Sequence, residues 1–292
     1  MAARRRVDKV LVHAYDDGQL VHRPDELIVE EPLAIQLDGQ LVATTMRTPG
    51  HDFELAIGFC HTEGLLGGAP VLSCRYCGDG PLVPADTPRA SRAADTEFNV
   101  VSVSTGGQAP VAQPRLGLTT SACGLCGTAS LLQLRERLEP LVARPVPDRQ
   151  ELAGWGEVAE RVRAHQPLFA RTGAVHAAAA FDATGAMVVV REDIGRHNAV
   201  DKVVGQLLLA DRLPAAELGL FVSSRASFEM VQKAWAGGFR LLIAVSAPSS
   251  LAVETARMAN ITLAGFVRGQ RLTVYAQAGM GEAQQTPVGS NS

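Results

Sequence analysis

The sequence predicts an α/β protein, a layered domain with a mixed sheet preceded by a smaller N-terminal α+β part. Two observations carry this expectation. From residue 175 onward, short apolar runs alternate regularly with segments of helical period, the pattern of strands covered by helices. Before that point strand-like segments come first and helices come after them. The 292 residues can bury a substantial core. They divide into an N-terminal part at 1–145, an α/β cofactor-binding domain at 146–276 and a polar, disordered tail at 277–292.

In chain order, residues 9–13 read as a first strand and 27–46 as a longer hairpin around Asp38-Gly39, a dipeptide that accepts positive φ. Pro32 fits a sheet edge or a strand start. A helix begins near Asp52, the expected N-cap, places Phe53, Ile57 and Cys60 on one face, and ends among Gly64, Gly67 and Gly68. Residues 78–97 lack periodicity and read as an exposed loop, and 98–103 return to strand character. The Gly- and Pro-rich stretch 106–117 forms a flexible approach to a loop that carries Cys123 and Cys126. Leu131, Leu134 and Leu138 mark one helical face; Leu152, Trp155, Val158 and Val162 mark another over 150–165, with Pro145 and Pro147 between them.

The second half opens with strands at 175–181 and 187–191 joined at Asp182-Ala183-Thr184-Gly185. A helix over 196–210 turns Val200, Val203, Val204, Leu207 and Leu208 inward. Strands at 218–222 and 241–245 precede helices at 227–236 and 249–260, and strands at 262–267 and 272–275 close the pattern.

A formal net charge of −3 offers no global attraction to nucleic acid or an anionic membrane. The cluster Arg4-Arg5-Arg6 is not followed by an apolar signal core, and no segment reaches the roughly 18 apolar residues of a spanning helix, so a cytoplasmic location without membrane contact is expected.

The chain is centred chemically on Thr120-Ser121-Ala122-Cys123-Gly124-Leu125-Cys126-Gly127, a two-cysteine loop running into a helix. Only a thiolate is a good nucleophile, and a helix N-terminus favours that anion. An odd total of five cysteines without a signal peptide argues for free thiols, metal ligation or catalysis rather than a disulfide framework. Cys60, at an apolar helical position, reads as a buried small hydrophobe. Cys74 and Cys77 form a second CxxC, and the two pairs together could close a four-cysteine zinc site, although their separation exceeds the roughly 15 to 20 residues of compact zinc ribbons. Walker A, HExxH and GxGxxG motifs are absent, as is the zinc signature of nucleoside deaminases.

In α/β sheets ligands bind beyond the carboxyl ends of the strands. The loops Glu192-Asp193-Ile194-Gly195-Arg196-His197-Asn198, Ser223-Ser224-Arg225-Ala226-Ser227 and Ser246-Ala247-Pro248-Ser249-Ser250 occupy such positions, and Gly265-Phe266-Val267-Arg268-Gly269-Gln270-Arg271 adds two arginines. Small hydroxyls, helix-start amides and arginine forks suit a large phosphorylated ligand. Taken singly, such serines serve equally as helix caps and such arginines as solvated surface groups. His197 fits a proton donor or a structural hydrogen-bonding group equally, and Asp193 and Asp201 fit cap and surface or ion-pair roles.

Several stretches together carry a resemblance: Glu30-Glu31-Pro32-Leu33, Met46-Arg47-Thr48-Pro49-Gly50-His51-Asp52-Phe53, Thr62-Glu63-Gly64, Arg75-Tyr76-Cys77, the cysteine loop, and above all Glu192-Asp193-Ile194-Gly195-Arg196-His197-Asn198-Ala199-Val200-Asp201-Lys202. In these the chain resembles the formate dehydrogenase accessory sulfurtransferases of the FdhD/NarQ family. The resemblance implies a cytidine-deaminase-like α/β domain in a cytoplasmic homodimer. It implies a sulfurtransferase that accepts persulfide sulfur from a cysteine desulfurase and passes it to the molybdenum of a bis(molybdopterin guanine dinucleotide) cofactor, for formate dehydrogenase. No permanent metal is then expected. Cys123 would carry the persulfide and Cys126 assist it; Phe266, Val267, Arg268, Gly269, Gln270 and Arg271 would belong to the cofactor-binding stretch, joined by Arg196, His197, Ser223 and Arg225. The chain departs from the pattern at Ala122, Thr128, Ser224 and the extra Cys74. The competing reading is a non-catalytic molybdenum-cofactor chaperone or a zinc-stabilised binding module.

Overall fold

A computed structural model describes residues 5–77, 99–111 and 134–277. Among these residues there are three sheets. Strands β1 (Val7–Asp16) and β2 (Gln19–Ile28) form a two-stranded antiparallel ribbon. Strands β3 (Glu31–Leu37), β4 (Gln40–Arg47), β5 (Ser73–Tyr76) and β6 (Val100–Ser104) make a four-stranded sheet in the order β4-β3-β6-β5. Strands β7 (His176–Phe181), β8 (Met187–Asp193), β9 (Gly219–Val222), β10 (Leu241–Ala244), β11 (Thr262–Arg268) and β12 (Arg271–Ala276) form a six-stranded sheet in the order β12-β11-β10-β9-β7-β8. Strand β10 pairs parallel with β9 and β11, whereas β7 pairs antiparallel with both β8 and β9 and β12 antiparallel with β11, so the sheet is mixed and β8 runs in the direction of β9 to β11.

Among the described residues the helices are α1 (Asp52–Thr62), α2 (Arg149–Arg163), α3 (Pro167–Thr172), α4 (Arg196–Leu209), α5 (Phe228–Ala236) and α6 (Ser250–Met258); residues 134–137 are also helical. Strand alternation sorts the large sheet into two dry faces. Ala178, Ala180, Leu220, Val222, Leu242 and Leu263 meet α4, α5 and α6, while Ala177, Ala179, Phe221, Ile243 and Ala264 meet Trp155, Val158 and Val162 of α2. Every residue of β9 and β10 is buried, as expected of strands covered on both faces.

Helix α1 links the two larger sheets. One side packs Leu55, Ala56 and Cys60 against Leu33, Ile35 and Val101 of the four-stranded sheet. The other meets α4 so closely that a Cβ on Gly58 would lie 1.9 Å from the Asp201 carbonyl oxygen, and one on Gly205 would lie 1.9 Å from that of Glu54. Paired glycines are what permit backbones to approach in this way.

Three sequence expectations need correction. The hairpin read over 27–46 is two hairpins: Leu27 belongs to β2, which turns at Asp17-Gly18, and β3 and β4 turn at Asp38-Gly39. Both dipeptides adopt positive φ, 45° and 83° in the first and 48° and 84° in the second. The N-cap of α1 is His51 at φ 58°, not Asp52, because the Asp52 carboxylate is engaged by Arg47 at 2.9 and 3.1 Å. Asp193 and Asp201 are ion-paired as one reading had it, but neither is a surface group: they are 0% and 2% exposed.

Candidate functional site

A cavity of about 900 Å³ opens at one end of the six-stranded sheet. Its floor is set by strand direction. Ile194 after β8, Ser223 after β9, Val245 after β10 and Phe266, Val267 and Arg268 at the end of β11 all lie at carboxyl ends, while antiparallel β7 brings its first residue, His176, to the same edge. Glu160 and Arg163 of α2, Gln166, and Phe169 of α3 form the opposing wall.

The serine loops are stitched together. Ala226 donates to the Ala247 carbonyl at 3.3 Å and the Ser249 amide donates to the Ala226 carbonyl at 3.1 Å, so the loops after β9 and β10 are joined backbone to backbone. The Ser249 hydroxyl caps α6 by accepting from Ala252; the Ser227 hydroxyl makes no such bond to α5. The Ser223 hydroxyl accepts the Ala177 amide at 2.9 Å and lies 3.4 Å from His176 Nδ1. Burial, aided by Arg196, holds the His176 imidazole below the usual histidine range.

Phe266 is the strained member of the site. It sits at φ 53° within an irregular part of the β11–β12 pairing, its ring is 51% exposed, and its amide donates to the Ser246 carbonyl at 3.3 Å. A bulky L-residue in the left-handed region costs about 1–2 kcal/mol, and such strain gathers where ligands are held. Across the cavity the Arg163 guanidinium lies 4.1 Å from the centre of the Phe169 ring. Exposed Arg268 supplies a second cation on the lining. An aromatic face beside arginines and strand-end amides suits a stacked base carrying phosphate.

Thus Ser223, Phe266, Val267, Arg268 and Gly269 line the cavity. Arg196 acts electrostatically on His176 at its edge. Arg225, Gln270 and Arg271 lie beyond the lining, as does His197. Cys123 and Cys126 lie outside the described residues. Sequence reasoning missed His176, Arg163, Gln166 and Phe169, whose recruitment depends on the reversed direction of β7 and on α3. That helix is positioned by Glu192, whose buried carboxylate accepts the Leu168 and Phe169 amides at 3.0 and 2.7 Å.

The run Glu192 to Lys202 is therefore mostly a framework. The Asp193 carboxylate accepts from Lys202 at 2.6 Å, Gly195 at 2.8 Å, Asn198 at 3.0 Å and the Thr48 amide at 3.2 Å. Asn198 also donates to Met46 at 2.7 Å. These bonds tie the start of α4 to the chain after β4. Asp201 accepts from Lys233 at 2.9 Å and from the Thr62 hydroxyl at 2.8 Å. Burial lifts the Asp201 carboxyl to about 6, while Asp201 and Glu63 hold Lys233 above the lysine range against its own burial. The two directions pull oppositely on the pair, yet both leave it ionised at neutral pH. His197 is pushed down to about 4 by burial, then by Lys233 and Arg196, and its buried Nε2 has no hydrogen-bond partner among the described residues.

The remaining described cysteines are poor nucleophiles where burial reaches them. Burial pushes Cys60 up to about 12, and burial with neighbouring Cys77 does the same to Cys74. Among the described residues no three His, Cys, Asp or Glu side chains gather as a metal site. A second cavity, about 730 Å³, lies at the opposite strand ends, but Arg161 and Arg240 there are occupied by Glu157, Thr184, Ala216 and Glu217. Among the described residues no helix is long and apolar enough to cross a membrane.

Fold and cavity together define a mixed α/β protein with a strand-end site suited to an anionic, base-bearing ligand. The particular family is settled by comparison: the FdhD/NarQ family model matches residues 28–280, and the chain belongs to that family. It is 46% identical over 267 residues to a sulfur carrier protein FdhD of Streptomyces avermitilis, covering 89% of this chain and 90% of the relative. It is 45% identical over 280 residues to a protein of the same name from Nocardia farcinica, covering 95% and 94%. A solved structure from Desulfotalea psychrophila, described as a putative formate dehydrogenase accessory protein, superposes with a TM-score of 0.66 at 21% identity over 92% of this chain and 96% of the other, so the two share a fold.

Proposed function

We propose that the protein is a sulfur carrier that delivers sulfur for formate dehydrogenase, and that it acts as a sulfurtransferase through a persulfide on Cys123. The observation that carries this reading is the family match, which spans both Cys123 and Cys126 and is joined to relatives named as sulfur carriers at 46% and 45% identity. The high values of Cys60 and Cys74 take those two thiols out of the candidates, leaving Cys77 and the loop thiols Cys123 and Cys126.

The Cys123 thiolate attacks the terminal sulfur of a cysteine desulfurase persulfide and displaces the desulfurase thiolate. The Cys126 thiolate then attacks the Cys123 sulfur and breaks the sulfur–sulfur bond. The terminal sulfur leaves with both bonding electrons, at the oxidation level of sulfide, for the molybdenum of the bis(molybdopterin guanine dinucleotide) substrate. A Cys123–Cys126 disulfide remains and is reduced by a cellular dithiol. The protein's framework contributes the strand-end cavity. Arg163 and Arg268 offer cations to the pyrophosphate, and the exposed ring of Phe266 offers a face to the guanine.

This reading includes a cytoplasmic homodimer, cytidine-deaminase-like layering of residues 146–276, and a separate N-terminal part over 1–145. Reconstitution of formate dehydrogenase tests it. Cys123→Ala is expected to abolish activation while guanine nucleotide binding persists; loss of binding by a folded variant would contradict this division of labour.

A further inference from the structure

The ribbon of β1 and β2 lies almost entirely ahead of residue 28, where the family match begins, and lines neither cavity. Its base is anchored by Val7 and Ile28 against Leu168, Phe169 and Val175, and by the Arg171–Glu26 ion pair at 2.7 Å. The rest projects as a two-stranded ribbon, an arrangement that is marginal in water by itself.

Its register places Leu11, His13 and Tyr15 opposite Pro24, His22 and Leu20, all six on one face. That face is unusually bare, with Leu11 71%, Tyr15 79% and Leu20 64% exposed. At its centre the His13 and His22 rings lie 4.1 Å apart. Counted from the two-residue turn, these two residues fall on a non-hydrogen-bonded pair, where facing side chains come closest.

We infer that His13 and His22 form half of a zinc-class metal site, completed by the same pair from a second copy of this chain. Two adjacent imidazoles on exposed, rotatable side chains supply two of the four ligands that tetrahedral zinc takes. Among the described residues no third His, Cys, Asp or Glu joins them, so this chain as described leaves the ion two ligands short. A twofold axis through the metal supplies the same two residues again, and it sets the flanking apolar pairs, Leu11 with Pro24 and Tyr15 with Leu20, against the apolar pairs of the copy.

The face alone is too small to hold a second copy. A ribbon of this length and width presents roughly 350 Å² at strand spacing, well below the ~800 Å² per partner of a stable interface. Contact through this face is therefore conditional on the ion.

The test is light scattering on the full-length protein after chelation and again with zinc sulfate, with zinc content measured in each peak. Zinc is expected to double the mass of whatever species exists in chelator and to add one ion per pair of chains at this site. In H13A/H22A both the doubling and that increment of bound zinc should vanish, which separates them from zinc taken by cysteines. Tyr15→Ser with Leu20→Ser, keeping both imidazoles, should weaken the doubling while zinc still binds. Doubling that persists in H13A/H22A, equal zinc uptake by parent and H13A/H22A, or zinc bound once per chain without a mass change would each overturn the inference.

Discussion

Lys202→Met tests whether the run from Glu192 to Lys202 holds the site together or reacts. Lys202 and Asp193 are both 0% exposed at 2.6 Å, and Lys202 Nζ also donates to the Thr48 carbonyl at 3.0 Å. At an effective dielectric near 20, unit charges at that separation attract by about 6 kcal/mol, from which the cost of burying both is subtracted. Burial indeed draws Lys202 down, and Asp193 opposes it. Removing the lysine leaves the Asp193 carboxylate buried with neutral donors only, and breaking one side of such a pair costs about 3–5 kcal/mol. Urea denaturation should show that loss. The double variant Lys202→Met with Asp193→Asn should be more stable than Lys202→Met alone, because no charge is stranded. A loss under ~0.5 kcal/mol for the single variant, the range of surface substitutions, would refute the framework reading.

Acid should unfold the protein partly through His197. Its folded value, about 4, lies below the ordinary 6.5, so the unfolded chain binds the proton more readily. The stability involved is complete above about 6.5 and is lost as pH falls toward about 4; His197→Gln should flatten the melting temperature across that window, and an unchanged slope would count against it. Alkylation of the native protein mapped by peptide should leave Cys60 and Cys74 unmodified at neutral pH and reach both only after denaturation; rapid native labelling of Cys74 would show that its burial is not protective. Phe266→Gly relieves the positive φ but frees the unfolded chain and loses a half-buried ring beside Tyr275, so the opposing effects should leave stability within about 1 kcal/mol while guanine nucleotide affinity weakens in calorimetry. Unchanged affinity would remove Phe266 from the binding surface.

Much of the large sheet was legible because periodicity reports burial: the buried positions of α2 and α4 fall where the apolar spacing of Trp155, Val158, Val162, Val200, Val203 and Val204 places them. The ribbon was half legible, since Arg23-Pro24-Asp25 interrupts the apolar alternation that marks a strand. Helix α3 was not, because six residues hold no period and the helix depends on Glu192, far away in sequence. The burial of Asp193 and Asp201 was hidden for a related reason. A carboxylate enters a core only with a partner, and Lys233 stands 32 residues from Asp201 on another helix. The cavity was visible as converging strand-end loops, yet His176 reaches it only through the reversed direction of β7 and its opposing wall depends on α3, neither of which a local apolar period reports.

Whether sulfur travels on the two-cysteine loop is decided by peptide mass spectrometry after incubation with a cysteine desulfurase and cysteine. One added sulfur is expected on the Cys123 peptide, absent from Cys123→Ala and absent from the Cys60 and Cys74 peptides. No added sulfur on Cys123 or Cys126, under conditions that load another acceptor, would contradict the persulfide relay.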